Sequence, residues 1–206
     1  MKKHPLFLIC TFLFAIVLNV PAYAESEEDK LLARYGQYGG PFELTDHTGR
    51  TRTDEDFIGQ YVLLFFGYTY CPDVCPTTMQ IIADTMEELG DGGARFVQPL
   101  FISVDPERDT PESLADFISH FHPKIIGLTG SKENILTAAD HYGASFVKVF
   151  TPPTIGSGED VDPKKDYLIN HSAATYLMGP DGKFITYFPF GVTTEEMTKG
   201  IRAAFP

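Results

Sequence analysis

Cys71 and Cys75 stand four residues apart in the stretch Gly67-Tyr68-Thr69-Tyr70-Cys71-Pro72-Asp73-Val74-Cys75-Pro76. Two thiolates at that spacing, on one turn leading into a helix, can close on a soft metal ion or on each other. A disulfide placed there as a staple would stabilise little. Closing so short a loop is worth about 2 kcal/mol, against nearly 5 for a loop of ~100 residues. Reversible redox chemistry or metal binding is the better use of the pair. Thiolates favour copper(I) and zinc, imidazole suits both metals, and two protein ligands alone leave an ion weakly held. The expected third donor is His171, in Tyr167-Leu168-Ile169-Asn170-His171-Ser172.

Both placements depend on the elements that carry them. Tyr61-Val62-Leu63-Leu64-Phe65-Phe66 is a continuous apolar run, suited to a strand buried on both faces, and it ends at Gly67 just before the cysteine loop. After Pro76, Met79, Ile82, Ala83, Met86 and Leu89 recur on one helical face, with Gly90 as the stop. Leu100–Val104 reads as a second buried strand ended by Asp105-Pro106. Thr110-Pro111-Glu112 opens a helix carrying Leu114, Phe117, Ile118 and Phe121. A third helix is expected over 131–142, a strand over 145–150 and an exposed loop over 151–165. Strands over 173–178 and 183–188 flank the hairpin signal Gly179-Pro180-Asp181-Gly182, and a last helix covers about 194–204. Ahead of all these, Phe42–Asp46 alternates like a strand and turns at Asp46-His47-Thr48-Gly49.

Strand, helix, strand, helices, antiparallel hairpin and terminal helix is the element order of an α/β, thioredoxin-like fold. It predicts a central mixed sheet flanked by helices, here with an N-terminal β extension. Right-handed crossovers set the two buried strands side by side. The cysteines then fall between the C-terminal end of a central strand and the N-terminus of a helix, where free N–H groups and the helix dipole favour thiolate over thiol. In this fold the segment ahead of the hairpin's first strand faces that loop, which sets His171 opposite the cysteines. Asp105 can approach the metal loop, although capping the 107–110 loop is the plainer role for it. Asp73 reads as a solvated turn residue, His120 and His122 as cations at a helix end, and His47 and His141 as ordinary surface groups.

At the N-terminus, Lys2 and Lys3 precede an apolar run from Leu6 to Leu18, closed by Ala22-Tyr23-Ala24. This is the pattern of a secretory signal peptide cleaved after Ala24, followed by a linker over 25–40 and one domain over 41–206. The rival is a retained anchor, since the uncharged stretch from Pro5 to Ala24 is just long enough to span a bilayer. Cleavage removes Cys10, leaving only Cys71 and Cys75, and directs the chain to the periplasm or the outer face of the inner membrane. It also removes two lysines and no acid, deepening a net charge that is already −12. Such a chain is a poor candidate for nucleic acid or an anionic membrane surface, both of which select for basic patches.

Cys71-Pro72-Asp73-Val74-Cys75-Pro76, Ser103-Val104-Asp105-Pro106-Glu107-Arg108-Asp109-Thr110, Gly127-Leu128-Thr129-Gly130, Asn170-His171-Ser172 and Tyr176-Leu177-Met178-Gly179-Pro180-Asp181-Gly182 occur in an order that resembles the SCO/SenC family. The resemblance runs from about residue 42 to 205. It implies a copper metallochaperone that assists assembly of the binuclear copper centre of cytochrome c oxidase, with Cys71, Cys75 and His171 holding one copper ion. The implied partners are the copper-receiving oxidase subunit and a thiol reductant. A binding protein of this kind has no small-molecule substrate. The alternative is a thiol–disulfide oxidoreductase that reduces partner cysteines with the same pair. Against that as the sole role, the spacing is C-x-x-x-C and His171 would be idle. The family is often membrane-anchored, whereas this N-terminus has the pattern of a cleaved leader.

Overall fold

A computed structural model describes residues 38–150, 162 and 166–206. The expected leader, nearly all of the linker and nearly all of the 151–165 loop lie outside the described residues. The chain enters through β1 (Glu43–Asp46) and β2 (Thr51–Thr53), an antiparallel pair followed by a single 3-10 turn over Asp54–Phe57. Then come β3 (Tyr61–Gly67), α1 (Val74–Ala94) and β4 (Val97–Ser103). Every residue of β3 and β4 is buried, which is why β3 and the Leu100–Ile102 part of β4 read as continuous apolar runs rather than alternating ones. They pair in parallel from Tyr61 opposite Val97 to Gly67 opposite Ser103. Leu63, Leu64, Phe65 and Phe101 lose essentially all contact with water. At about 1.5–3 kcal/mol for each such side chain, this strand pair is the anchor of the domain.

The rest of the chain follows as α2 (Pro111–Ser119), β5 (Ile126–Thr129), α3 (Lys132–His141), β6 (Phe146–Phe150), β7 (Tyr167–His171), β8 (Thr175–Met178), β9 (Phe184–Phe188) and α4 (Thr194–Ala204). Seven strands form one mixed sheet in the order β2-β1-β5-β4-β3-β8-β9. Phe65 and Phe101 face the α2 side, where Phe101 stacks against Phe117 at 5.2 Å. On the opposite face, Phe66 meets Tyr142, at the end of α3. Helices thus cover both faces, as in a thioredoxin-like fold. The helix starts follow local chemistry: Thr110, Ser131 and Thr193 each accept a backbone N–H three residues on, at the heads of α2, α3 and α4. Among the described residues no helix is long and apolar enough to cross a membrane.

Four features depart from the sequence reading. First, α1 begins at Val74, so Cys75 lies in its first turn rather than ahead of it. Second, Gly90 does break that helix, at φ 62° and ψ 175°, but the chain resumes helical geometry as far as Ala94. Third, β2 and β5, of three and four residues, are too short to register as periodic segments. Fourth, 145–150 and the segment around His171 do not join the main sheet. They form their own antiparallel ribbon, with Phe146 opposite His171 and Phe150 opposite Tyr167.

The break in α1 makes a paired prediction. A Cβ at Gly90 or at Gly92 meets nothing within 4 Å, so only backbone conformation decides the cost. Gly90 has a left-handed φ, and Gly90→Ala is expected to lower unfolding free energy by about 1 kcal/mol or more. Gly92 is helical, and Gly92→Ala is expected to raise it by roughly 0.5–1 kcal/mol. Urea denaturation of the two variants should give midpoint shifts of opposite sign; shifts of the same sign would contradict this account of the kink.

Candidate metal centre

The ligand atoms of Cys71, Cys75 and His171 all lie within 4.8 Å of one another. Each arrives by a different route. The loop after β3 turns back at Cys71, whose N–H donates to the Tyr68 carbonyl at 3.2 Å, and the N–H of Cys75 then donates to Cys71 Sγ at 3.4 Å. Cys75 is fully buried in the first turn of α1. Its sulfur sits where a side chain on Gly67 would be: a Cβ there would lie 2.8 Å from Cys75 Sγ and 2.7 Å from the Phe101 ring. Glycine at the end of β3 is therefore a requirement of close approach.

His171 is the last residue of β7, and its ring stands edge-on to Phe65 at 5.9 Å and Tyr68 at 5.8 Å. Its Nδ1 is 3.0 Å from the Ser172 carbonyl. A carbonyl can only accept, so Nδ1 carries the hydrogen, and the Nε2 lone pair is left facing Cys75 Sγ at 3.3 Å. That tautomer, fixed by a backbone carbonyl on the far nitrogen, is the one a metal ligand needs. Cys71 and His171 open onto a cleft of about 310 Å³, which Asp73 and Asn170 also line.

The two thiols, both free, divide sharply in acidity. The Cys75 side chain donates to Cys71 Sγ and pulls the Cys71 thiol down to about 3, with backbone N–H groups adding to this against the opposing effect of burial. Cys75 is pushed far up by that same hydrogen bond and then by burial. One proton thus serves two sulfurs. Cys71 is a half-exposed thiolate and Cys75 a buried thiol, and an entering cation displaces the remaining proton. Two sulfurs and one imidazole nitrogen, with no fourth His, Cys or carboxylate joining the group among the described residues, form a soft, three-donor set. Structural zinc sites use four protein ligands, whereas copper(I) is content with such a set.

The cysteine loop is held from beneath by Asp109, which the sequence reading passed over. This buried carboxylate accepts from the Thr69 N–H at 3.0 Å, the Thr69 hydroxyl at 2.6 Å and the Ser103 hydroxyl at 2.5 Å, and its burial raises its pKa. Asp105 does not reach the sulfurs. Its backbone carbonyl accepts from the N–H groups of Arg108 and Asp109, bonds that do not involve its side chain. Its carboxylate pairs with Arg108 and accepts from the Tyr167 hydroxyl at 2.6 Å, a link to β7 that had no signal in the sequence. Asp73 is exposed and makes no side-chain cap. His47 and His141 have partners after all: Nδ1 of His47 accepts from the Gly127 N–H, and Nδ1 of His141 donates to the Pro41 carbonyl. His122 accepts the Lys124 N–H on Nδ1, and burial lowers its pKa, so it is not a cation at the end of α2.

A family model described as SCO1/SenC matches residues 32–205. The chain belongs to the SCO1/SenC family. It is 41% identical over 180 residues to "Protein sco1" of Schizosaccharomyces pombe, covering 86% of this chain and 65% of that protein. It is 42% identical over 151 residues to the human "Protein SCO1 homolog, mitochondrial", covering 73% of this chain and 47% of that protein. The chain therefore spans about half to two thirds of the length of these relatives. The crystal structure of Arabidopsis thaliana ScoI with copper bound is similar at TM-score 0.71 and 34% identity, covering 81% of this chain and 96% of that one.

Two predictions test the site's construction. In the reduced, metal-free protein Cys71 should be alkylated by iodoacetamide at a rate nearly independent of pH between 5 and 8, because it is already ionised there, while buried Cys75 stays protected. A Cys71 rate rising about tenfold per pH unit, as for an ordinary thiol of pKa ≈ 8.5, would contradict the thiolate assignment. Gly67→Ala should push Cys75 Sγ out of place and weaken metal binding in a chelator competition; unchanged affinity would mean the sulfur has room the structure does not show.

Proposed function

We propose that this protein binds one copper ion through Cys71, Cys75 and His171 and passes it to the copper-receiving subunit of cytochrome c oxidase as the binuclear copper centre is assembled. The observation that carries the reading is the convergence of the three donor atoms, from two separate parts of the chain, within 4.8 Å. Copper bound to the Arabidopsis relative supports it. A half-exposed Cys71 beside an open cleft gives an acceptor's cysteines or histidines a way to reach the ion while His171 and buried Cys75 still hold it. Transfer is then a sequence of ligand exchanges with no free ion. Residues 1–24 act as an export leader, 25–40 as a linker and 41–206 as the working domain, in the periplasm or at the outer face of the inner membrane.

The same sulfurs make binding depend on redox state. Two-electron oxidation joins Cys71 to Cys75, releases the one proton the pair still holds and removes two of the three donors; a thiol reductant restores them. The low pKa of Cys71 also favours a second reading, in which this thiolate attacks a partner's disulfide to form a mixed disulfide, and Cys75 then attacks Cys71 Sγ, with its proton passing to the departing partner sulfur. The partner leaves as a dithiol and the chain as the Cys71–Cys75 disulfide.

Metal analysis separates the two readings. The reduced protein, purified from copper-replete cells, is expected to carry about one copper per chain, and the oxidised protein to bind copper(I) far more weakly in a chelator competition. Equal affinity in both redox states would remove Cys71 and Cys75 as principal ligands. In cells, deletion should lower oxidase activity when copper is scarce and copper should restore it. Restoration by a reductant alone, with no response to copper, would favour the oxidoreductase.

A further inference from the structure

His171 has a positional difficulty that the two cysteines do not share. The cysteines follow from the end of β3, in the middle of the seven-stranded sheet, and Asp109 ties their loop to the floor through Thr69 and Ser103. His171 rides on the β6–β7 ribbon, which exchanges no ladder hydrogen bonds with that sheet. Something other than sheet pairing must fix the imidazole opposite the thiolates.

Arg108, the neighbour of Asp109, is placed to do this. Its side chain is only 8% exposed and its Nε pairs with the fully buried Asp105 carboxylate. Its Nη1 donates to the Tyr167 carbonyl at 3.0 Å, and its guanidinium lies 3.6 Å over the Tyr167 ring. The Tyr167 hydroxyl closes the circuit by donating to the other oxygen of Asp105 at 2.6 Å. On its other side the guanidinium approaches the ring of Tyr70, the residue before Cys71, at 4.7 Å. Residues 105–109 therefore grip both halves of the site: Asp109 holds the cysteine loop, and Arg108 with Asp105 holds the histidine strand.

We infer that Arg108 is a positioning residue for the metal centre, fixing His171 against the cysteine pair by clamping Tyr167 at the other end of β7. The inference rests on the reading of Cys71, Cys75 and His171 as copper ligands. It depends on the shape of the guanidinium as well as its charge. A planar fork can bind a carboxylate and a carbonyl while stacking on an aromatic ring, whereas a lysine ammonium is a point charge that cannot do all three. Loss of the clamp leaves the two sulfurs in place and the imidazole free to wander.

A double-mutant cycle on copper(I) affinity, measured by chelator competition on the reduced protein, tests this. His171→Ala should weaken binding without abolishing it, since two thiolates still hold copper(I). Arg108→Lys should weaken it about tenfold, the usual scale for a group that orients a ligand. In the His171→Ala background Arg108→Lys should cost nothing further, because the residue through which it acts is gone. In the metal-free protein, amide exchange across β7 should accelerate in Arg108→Lys while α1 is unchanged. Tyr167→Phe keeps the ring under Arg108 and loses only the bond to Asp105; it should show a smaller loss that vanishes in the same background, and it decides the matter if Arg108→Lys does not fold. Losses that persist undiminished without His171, or no loss at all while His171→Ala weakens binding, overturn the role of Arg108 alone. If His171→Ala binds copper(I) as the native protein does, the ligand assignment fails and the inference goes with it.

Discussion

Cys75 Sγ and His171 Nε2 lie 3.3 Å apart, yet they belong to strands and helices that share no ladder. One side of the contact is rigid. Cys75 sits in the first turn of α1, directly over Gly67 at the end of the buried parallel pair β3–β4. The other side is a two-stranded ribbon, and isolated ribbons of that size are marginal structures in water. Meeting of the two is therefore a property of the tertiary structure. It requires the missing side chain at Gly67, the tautomer set by the Ser172 carbonyl and the buried polar groups beneath the loop.

That division suits the proposed role, in which the bound ion is handed on. A site formed wholly within a central sheet would hold its ion in a closed, preformed cage. Here one sulfur is buried, the other is half-exposed and already ionised, and the nitrogen comes from outside the main sheet. Donors can be surrendered one at a time. The polar groups that hold the halves in register, Asp105, Arg108 and Asp109, are themselves buried and satisfied largely by one another and by nearby hydroxyls and backbone. Removing one partner of such a buried charged set typically costs several kcal/mol, about 3–5 for an ion pair. A stretch that reads in sequence as a polar loop is thus among the least replaceable parts of the domain.

Much of this was legible from residue patterns, and the limits have physical causes. The short apolar runs around Leu63 and Leu100 suited strands buried on both faces, and the position of the first placed the cysteines at a strand-to-helix turn. Thr110-Pro111 and the Gly179–Gly182 turn announced their elements through helix-start and turn chemistry. His171 was singled out because a thioredoxin-like fold sets the segment ahead of the hairpin opposite the cysteine loop, where two thiolates leave room for a third donor. The ribbon was harder. Tyr167–His171 alternates buried and exposed over only five residues, too few to reveal its partner. Asp109 and Arg108 look like ordinary loop charges until the chain is folded, since burial and pairing of a polar side chain leave no trace in local periodicity. Gly67 reads as a strand terminator, and only its closeness to Cys75 Sγ shows that it makes room for that sulfur.

X-ray absorption at the copper edge of the reduced, copper(I)-loaded protein bears on the ligand set without relying on any variant. Cys71, Cys75 and His171 together predict a first shell of two sulfurs and one nitrogen per copper, including the outer-ring scattering of an imidazole. A shell of sulfur alone would remove His171 from the site, and a shell of nitrogen and oxygen alone would remove the cysteines and contradict the assignment outright.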